Sequence, residues 1–112
     1  MSHNTHLLNG RMQILLLIMC FSISTYAVDR TPVQYEYEIR NAFKQDHWEE
    51  GKTLLYEAEP EYGTLSVFCE LKGAYDYHFK LYDEARRHLL LALRDDESNP
   101  QALELLVRVE RE

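Results

Sequence analysis

Apolar residues recur at intervals of three and four positions from Pro32 onward, with polar residues between them. This spacing places apolar side chains on one face of an α-helix, whereas a half-buried strand would require strict alternation. The pattern therefore predicts an all-α fold without strands. The predicted helices cover about 32–44, 48–58, 65–79, 82–93 and 101–111.

Helix-breaking residues stand between the predicted helices. Pro32 suits the first turn of a helix, because its missing N–H would be unpaired there anyway. Asp46 separates the first two helices, and we expect Pro60 and Gly63 to end the second one. An acidic turn at 95–100 precedes the last helix.

The apolar pattern repeats after 34 residues. A shift by this length places apolar or small residues on one another at nearly every inward position, so five helices become two and a half copies of a helix pair. The aligned residues are Trp48 with Tyr82, Gly51 with Ala85, Leu55 with Leu89, Ala58 with Ala92, Tyr35 with Cys69 and Leu103, and Tyr37 with Leu71 and Leu105.

The second copy resembles the tetratricopeptide repeat family, whose unit is a helix–turn–helix with Leu-Gly and Tyr in its first helix and Ala-x3-Phe in its second. Residues 71–75 look like the first-helix segment with one residue inserted. Tyr82, Ala85, Leu89 and Ala92 look like the second-helix signature, with Leu89 in place of the usual aromatic residue. The first copy lacks the Leu-Gly pair, and neither copy has proline at the expected end.

This resemblance implies antiparallel helix hairpins stacked as a short right-handed solenoid, with repeats at about 32–63 and 65–97 and a capping helix at about 100–112. It also implies a groove, lined by the first helices, that receives an extended or helical peptide of a partner protein. On this chain the lining would comprise Glu36, Arg40, Phe43, Lys44, Glu70, Ala74, Tyr77 and His78.

The last helix is expected to cover the open end of the second repeat, because about three stacked repeats are usually needed for stability and this chain has fewer. The apolar positions of this helix are Leu103, Leu105, Leu106, Val107 and Val109. Alternatively, its leftover apolar surface contacts a partner or a second copy, which would make the protein a homodimer.

Residues 1–27 have the three-part layout of a secretory signal peptide: one charge at Arg11, an apolar run from about residue 14, and small residues ending at Ala27. The run is about ten residues long, half of the roughly 20 that cross a bilayer as a helix. We therefore predict export to the periplasm or medium, with a helical domain at 28–112. Met12 is an alternative start, and an uncleaved leader would instead make the protein a membrane-tethered small subunit of an envelope complex.

Charge narrows the choice of partners. The chain has a formal net charge of −7, and loss of Arg11 with the leader makes it more acidic still. Such a surface repels phosphate backbones and anionic lipid headgroups. A protein or peptide of neutral or basic character is the expected partner, rather than nucleic acid or a membrane surface.

Candidate chemistry is sparse beyond residue 27. The histidines His47, His78 and His88 do not lie at the spacing of a zinc pair on one helical turn, and acidic neighbours such as Glu49 and Glu50 diverge around a helix. Cys69 is expected to be a small buried side chain, and an enzyme using it as nucleophile is the third hypothesis. No phosphate loop or dinucleotide fingerprint is present, so we expect no catalysis, cofactor, metal or small-molecule substrate.

Together these features predict an exported, non-catalytic adaptor or scaffold that binds another protein.

Overall fold

The first helix begins at a capped turn that satisfies its free N–H groups. The computed structural model describes residues 30–112, in which helix α1 spans Pro32–Lys44. Thr31 Oγ1 accepts a hydrogen bond from the backbone N–H of Gln34 at 3.2 Å, and Gln34 Oε1 accepts one from the N–H of Thr31 at 2.9 Å. This reciprocal capping box fixes the start of the helix. The buried residues of this helix are Tyr35, Ile39, Ala42 and Phe43.

Four more helices follow: α2 (Trp48–Tyr62), α3 (Ser66–His78), α4 (Tyr82–Asp95) and α5 (Pro100–Glu110). Residues 30–112 contain no strand, which confirms the all-α prediction for this part of the chain. We call α1 with α2 hairpin 1 and α3 with α4 hairpin 2. The first helices α1, α3 and α5 begin at positions 32, 66 and 100, and the second helices α2 and α4 begin at 48 and 82, always 34 residues apart.

The turns inside the two hairpins share one backbone conformation. Asp46 and Lys80 both have φ of 61°, the left-handed region. The next residue in each turn donates its N–H to the carbonyl five positions earlier, His47 to Ala42 and Leu81 to Asp76, both at 2.8 Å. This bond closes the carboxyl end of the preceding helix. The periodicity of the side chains is therefore also a periodicity of the backbone.

The helices enclose two clusters of buried side chains that share α3. One cluster lies among α1, α2 and α3, and the other among α3, α4 and α5. Hairpin 2 thus packs on hairpin 1, and α5 packs on hairpin 2. The first cluster comprises Tyr35, Ile39, Phe43, Leu55, Ala58, Phe68 and Leu71, and the second comprises Cys69, Ala85, Leu89, Ala92, Ala102 and Val109.

Small residues allow the helices of each hairpin to approach closely. A Cβ at Gly51 would overlap the ring of Phe43, and a Cβ at Gly73 would lie 2.7 Å from Cγ and Cδ2 of Leu89. Ala85 is fully buried at the position that corresponds to Gly51. Larger side chains at these points would force the helices apart.

A polar network fixes the start of α5. Asn99 Oδ1 accepts from the N–H of Ala102 at 3.1 Å, and its Nδ2 donates to Ser66 Oγ at 3.1 Å. The Ser66 hydroxyl in turn donates to the carbonyl of Ala92 at 2.7 Å. One buried amide therefore caps α5 and ties it to both helices of hairpin 2.

The structure corrects several predicted boundaries. Pro60 does not end α2, which continues to Tyr62 before Gly63 closes it. A proline in the last turn costs the helix only one hydrogen bond, so the chain can continue past it for a few residues. Helix α4 extends to Asp95, two residues beyond the predicted end, while α5 begins and ends one residue earlier than predicted.

Two predictions concern the leader and the membrane. The proposed signal peptide at 1–27 and the alternative start at Met12 lie outside the described residues. Among the helices of residues 30–112, none combines the length and the apolar character needed to cross a membrane.

Candidate functional site

Three of the eight predicted groove residues form one ion-pair cluster between α1 and α3. Arg40 donates through Nη1 and Nη2 to the two carboxylate oxygens of Glu70, at 3.0 and 2.7 Å, and through Nε to Glu36 at 3.1 Å. Partial burial opposes the charge of Arg40, but the two carboxylates outweigh this effect and raise its pKa. Glu70 is only 1% exposed. Its carboxylate joins two first helices and is turned away from solvent.

A stack of aromatic rings lies at the turn end of the same helices. The Trp48 ring stacks between Phe43, at a centroid distance of 4.4 Å, and His78 at 3.9 Å. Phe43 is buried in the first cluster, so it connects this stack to the core. Lys44, at the end of α1, is exposed.

The remaining predicted residues lie together. Ala74, Tyr77 and His78 border a depression of about 390 Å³ on the side of α3 that faces α5. Tyr77 packs against Tyr82 at 5.9 Å, matching the contact of Phe43 with Trp48 in hairpin 1. The full lining is Trp48, Ala74, Tyr77, His78, Lys80, Tyr82, Leu105 and Arg108, and we call it the α3 depression.

The repeat explains why the depression occurs at Ala74. The three first helices carry glutamate at corresponding positions, Glu36, Glu70 and Glu104. Four residues later α1 and α5 carry Arg40 and Arg108, each paired with the glutamate of its own helix. In α3 this position is Ala74, so α3 presents only a methyl group where α1 presents the Arg40 guanidinium that reaches the neighbouring first helix.

Sequence reasoning missed five lining residues. Trp48 and Tyr82 belong to second helices, where the 34-residue pattern predicts inward-facing positions. Lys80 is in a turn, and Leu105 and Arg108 are on α5, which was not part of the predicted groove. The same 34-residue shift that links Arg40 to Ala74 also leads to Arg108, so extending the groove to the third first helix would have found it.

A second cleft, of about 440 Å³, lies among α2, α3 and α4 and contains a histidine–carboxylate pair. His88 Nδ1 lies 2.6 Å from Asp76 Oδ2, and its Nε2 lies 3.5 Å from a nitrogen of Arg87. Nδ1 is placed to donate to the Asp76 carboxylate, while Nε2 faces the Arg87 guanidinium. Both ring nitrogens thus have protein partners, which favours a structural role.

The cysteine is in an environment that suppresses its reactivity. Cys69 is buried in the second cluster, and burial raises the pKa of its thiol. The thiol, not the nucleophilic thiolate, is therefore its dominant form at neutral pH. The prediction of a small buried side chain is confirmed. Residues 30–112 also contain no group of three or more His, Cys, Asp or Glu side chains placed to hold a metal ion.

Comparison with known proteins supplies no relative. The chain matches no family model, no curated protein and no solved structure at a significant level. Any function must therefore be inferred from the chain's own geometry.

Proposed function

We propose that this chain is a non-catalytic protein-binding module of the tetratricopeptide type, which receives a peptide or helix of a partner protein along its first helices. The observation that carries this proposal is the 34-residue spacing of both backbone and side chains. Helix starts, the two left-handed turn residues and the turn hydrogen bonds all recur at this interval. A chain built from such units stacks hairpins in one direction and leaves one face of the first helices uncovered.

Within that face, the α3 depression is the best place for a ligand side chain. Its aromatic members, Trp48, Tyr77 and Tyr82, offer rigid contact area with little loss of conformational entropy on binding. Lys80 and Arg108 stand at its border and can donate hydrogen bonds to carbonyl or carboxylate oxygens of a peptide. We therefore propose a peptide that inserts an apolar side chain beside Ala74 and places an oxygen acceptor near these cations.

This local chemistry refines the expectation drawn from net charge. The whole chain is acidic and favours a neutral or basic partner, whereas the depression itself has cationic groups at its border. Both conditions are met by a partner that has a basic surface overall and a short peptide with carbonyl or carboxylate oxygens near Lys80 and Arg108. The role that we propose is an adaptor or scaffold for a protein complex outside the cytoplasm. Intact mass of the exported protein would distinguish it from a membrane-tethered subunit that retains residues 1–27.

The proposal is tested by filling the depression. Ala74→Arg introduces the residue that the other two first helices carry, so the helix should tolerate it while the space is lost. A photoreactive amino acid in place of Tyr77 should crosslink a specific partner in the exported fraction, and Ala74→Arg in the same chain should abolish that crosslink. Leu90→Gln, an exposed position on α4, is the matched control and should leave the crosslink intact. Recovery of no specific adduct, or an adduct unaffected by Ala74→Arg, would contradict the proposal.

A further inference from the structure

Within residues 30–112, α5 is a first helix with no helix packed on the face that corresponds to the α2-covered face of α1. In α1, Tyr35 and Ile39 are buried in the cluster that includes Leu55 and Ala58 of α2. In α3 the corresponding residues are Cys69, which is clustered with Ala85, Leu89 and Ala92 of α4, and Gly73, which lies under Leu89. In α5 they are Leu103 and Val107, which are 45% and 52% exposed. We call this pair the open face of α5.

In each of the two hairpins, the corresponding face of the first helix is covered by the second helix. The covering helices α2 and α4 each have two acidic residues in their first turn. A small residue, a leucine and an alanine then follow at fixed spacing and are buried against the first helix. These residues are Gly51, Leu55 and Ala58 in α2 and Ala85, Leu89 and Ala92 in α4.

Hairpin 1 is the closer template for the open face. In hairpin 2 the side chain of Leu89 occupies the space above Gly73, where even a Cβ would be too close. The corresponding residue of α5 is Val107, and that of α1 is Ile39, so both present a β-branched side chain. A helix on α5 must therefore sit at the separation found between α1 and α2.

The carboxyl end of α5 suits the acidic start of such a helix. An antiparallel helix on this face would begin beside this end, where Arg111 stands, since Arg108 is already paired with Glu104 and Glu110 is paired with Arg86. Arg111 is exposed and corresponds to Phe43 and Tyr77, which receive the first aromatic residues of α2 and α4. An arginine here can pair with the acidic first turn and stack on an aromatic ring.

We propose that the open face of α5 binds an amphipathic helix of a partner protein, antiparallel to α5, with an acidic first turn and the small–Leu–Ala spacing of α2. This face is distinct from the α3 depression, so the inference goes beyond the proposed function. A second copy of the chain fits less well, because two exposed side chains cannot supply the roughly 800 Å² per partner of a standard stable interface. The contact is a reversible one, completed by the partner's own helix.

The probe for this proposal is a capped synthetic peptide with the sequence of residues 46–62, titrated into the isotope-labelled full chain. NMR is suited to it because weak binding is still visible as shifts of individual amide signals. The largest shifts are expected at Leu103 and Val107, and the double variant Leu103→Glu/Val107→Glu should weaken binding at least tenfold. Leu90→Glu, as exposed as Val107 but on α4, should not change it. Both variants alter exposed positions, and circular dichroism checks that each keeps its fold.

Three results would overturn the proposal. The peptide could shift hairpin 1 instead of α5, or a peptide carrying Leu55→Glu could bind equally well. Self-association that the double variant abolishes would assign the face to a second copy. Ala74→Arg separates this proposal from the groove proposal, because it fills the α3 depression and should leave peptide binding on α5 unchanged.

Discussion

At the scale of single residues, the packing of α1 against α2 at Gly51 requires a residue without a side chain. Gly51 is in the middle of a helix, where glycine is unfavourable by about 1 kcal/mol relative to alanine. The structure shows why alanine would be worse, since its Cβ would overlap the Phe43 ring. That ring is held by its stack on Trp48 and by the surrounding cluster, so it has little room to move.

We therefore predict that Gly51→Ala destabilises the fold by about 1–3 kcal/mol, the range for overpacking a core. Urea denaturation followed by circular dichroism would measure the change in the free energy of unfolding. Thr53→Ala, at an exposed position of the same helix, is the control and should change it by less than about 0.5 kcal/mol. A stabilised Gly51→Ala variant would mean that helix propensity, and not packing, dominates at this position.

A second feature at this scale is a pair of polar residues in hairpin 2 at the positions where hairpin 1 has a pair of apolar residues. Asp76 and His88 occupy the positions in hairpin 2 that Ala42 and Leu54 occupy in hairpin 1, and their side chains are mostly buried. Removal of one partner leaves a buried polar group without its hydrogen bond, whereas removal of both restores an apolar contact.

From this we expect His88→Leu to cost about 1–3 kcal/mol of unfolding free energy, and the double variant Asp76→Ala/His88→Leu to cost much less. Denaturation of the two single variants, the double variant and the parent chain forms a double-mutant cycle. Strictly additive losses would show that the two side chains do not interact.

At the scale of elements, α5 depends on one side chain for its start. Asn99 stands where Thr31 caps α1, but it is buried and also bonds Ser66. Helix α3, by contrast, begins after Leu65 without a side-chain cap. The two ends of the module are therefore fixed by capping, and the central first helix is fixed by packing on both sides.

Replacement of Asn99 by alanine should cost about 1–2 kcal/mol, since the cap of α5 is lost and the Ser66 hydroxyl loses a donor. Asn99→Asp keeps the acceptor for Ala102 and loses only the donor, so it should fall between alanine and the parent chain. Ser98→Ala, which alters only a bond within the exposed turn, should have little effect. Thermal unfolding monitored at 222 nm would rank the three variants, and equal midpoints would contradict the proposed network.

At the scale of the whole molecule, the two clusters depend on each other through α3, and α5 closes the second one. Ala102 and Val109 are buried against α4, while Leu105 and Leu106 are half-buried beside them. The prediction that α5 acts as a cap thus has a defined physical basis. The role of α5 as a cap does not explain the exposed apolar residues Leu103 and Val107 on its outer side.

A chain that ends at Asn99 exposes Leu89, Ala92 and Cys69 to water and should unfold at a lower temperature. Loss of several half-buried or buried apolar side chains costs a few kcal/mol, which corresponds to a drop of about 10 °C or more for a domain of this size. Differential scanning calorimetry of the shortened and full chains would measure it. An unchanged midpoint would show that hairpin 2 is stable without α5.

Much of the fold could be predicted from the sequence, because the spacing of apolar residues within each helix agrees with the 34-residue repeat. All five helices were predicted from periodicity, and α1 was predicted with its observed ends. The error at Pro60 arose because a proline was treated as a stop, although the last turn of a helix can include one. The eight predicted groove residues do not all lie on one exposed surface. Of eight residues, Ala74, Tyr77 and His78 border the α3 depression, while Glu70 and Phe43 are buried.

The sequence by itself determined the helices, their inward faces and the 34-residue period, because these follow from the spacing of side chains along one chain. Only the tertiary structure decided which charged side chains form ion pairs and which apolar surfaces remain exposed to solvent. Arg40 reaches Glu70 across 30 positions of sequence, and Leu103 is exposed because the described residues place no helix over it. Such facts depend on which helices become neighbours, and spacing within a single helix does not contain them.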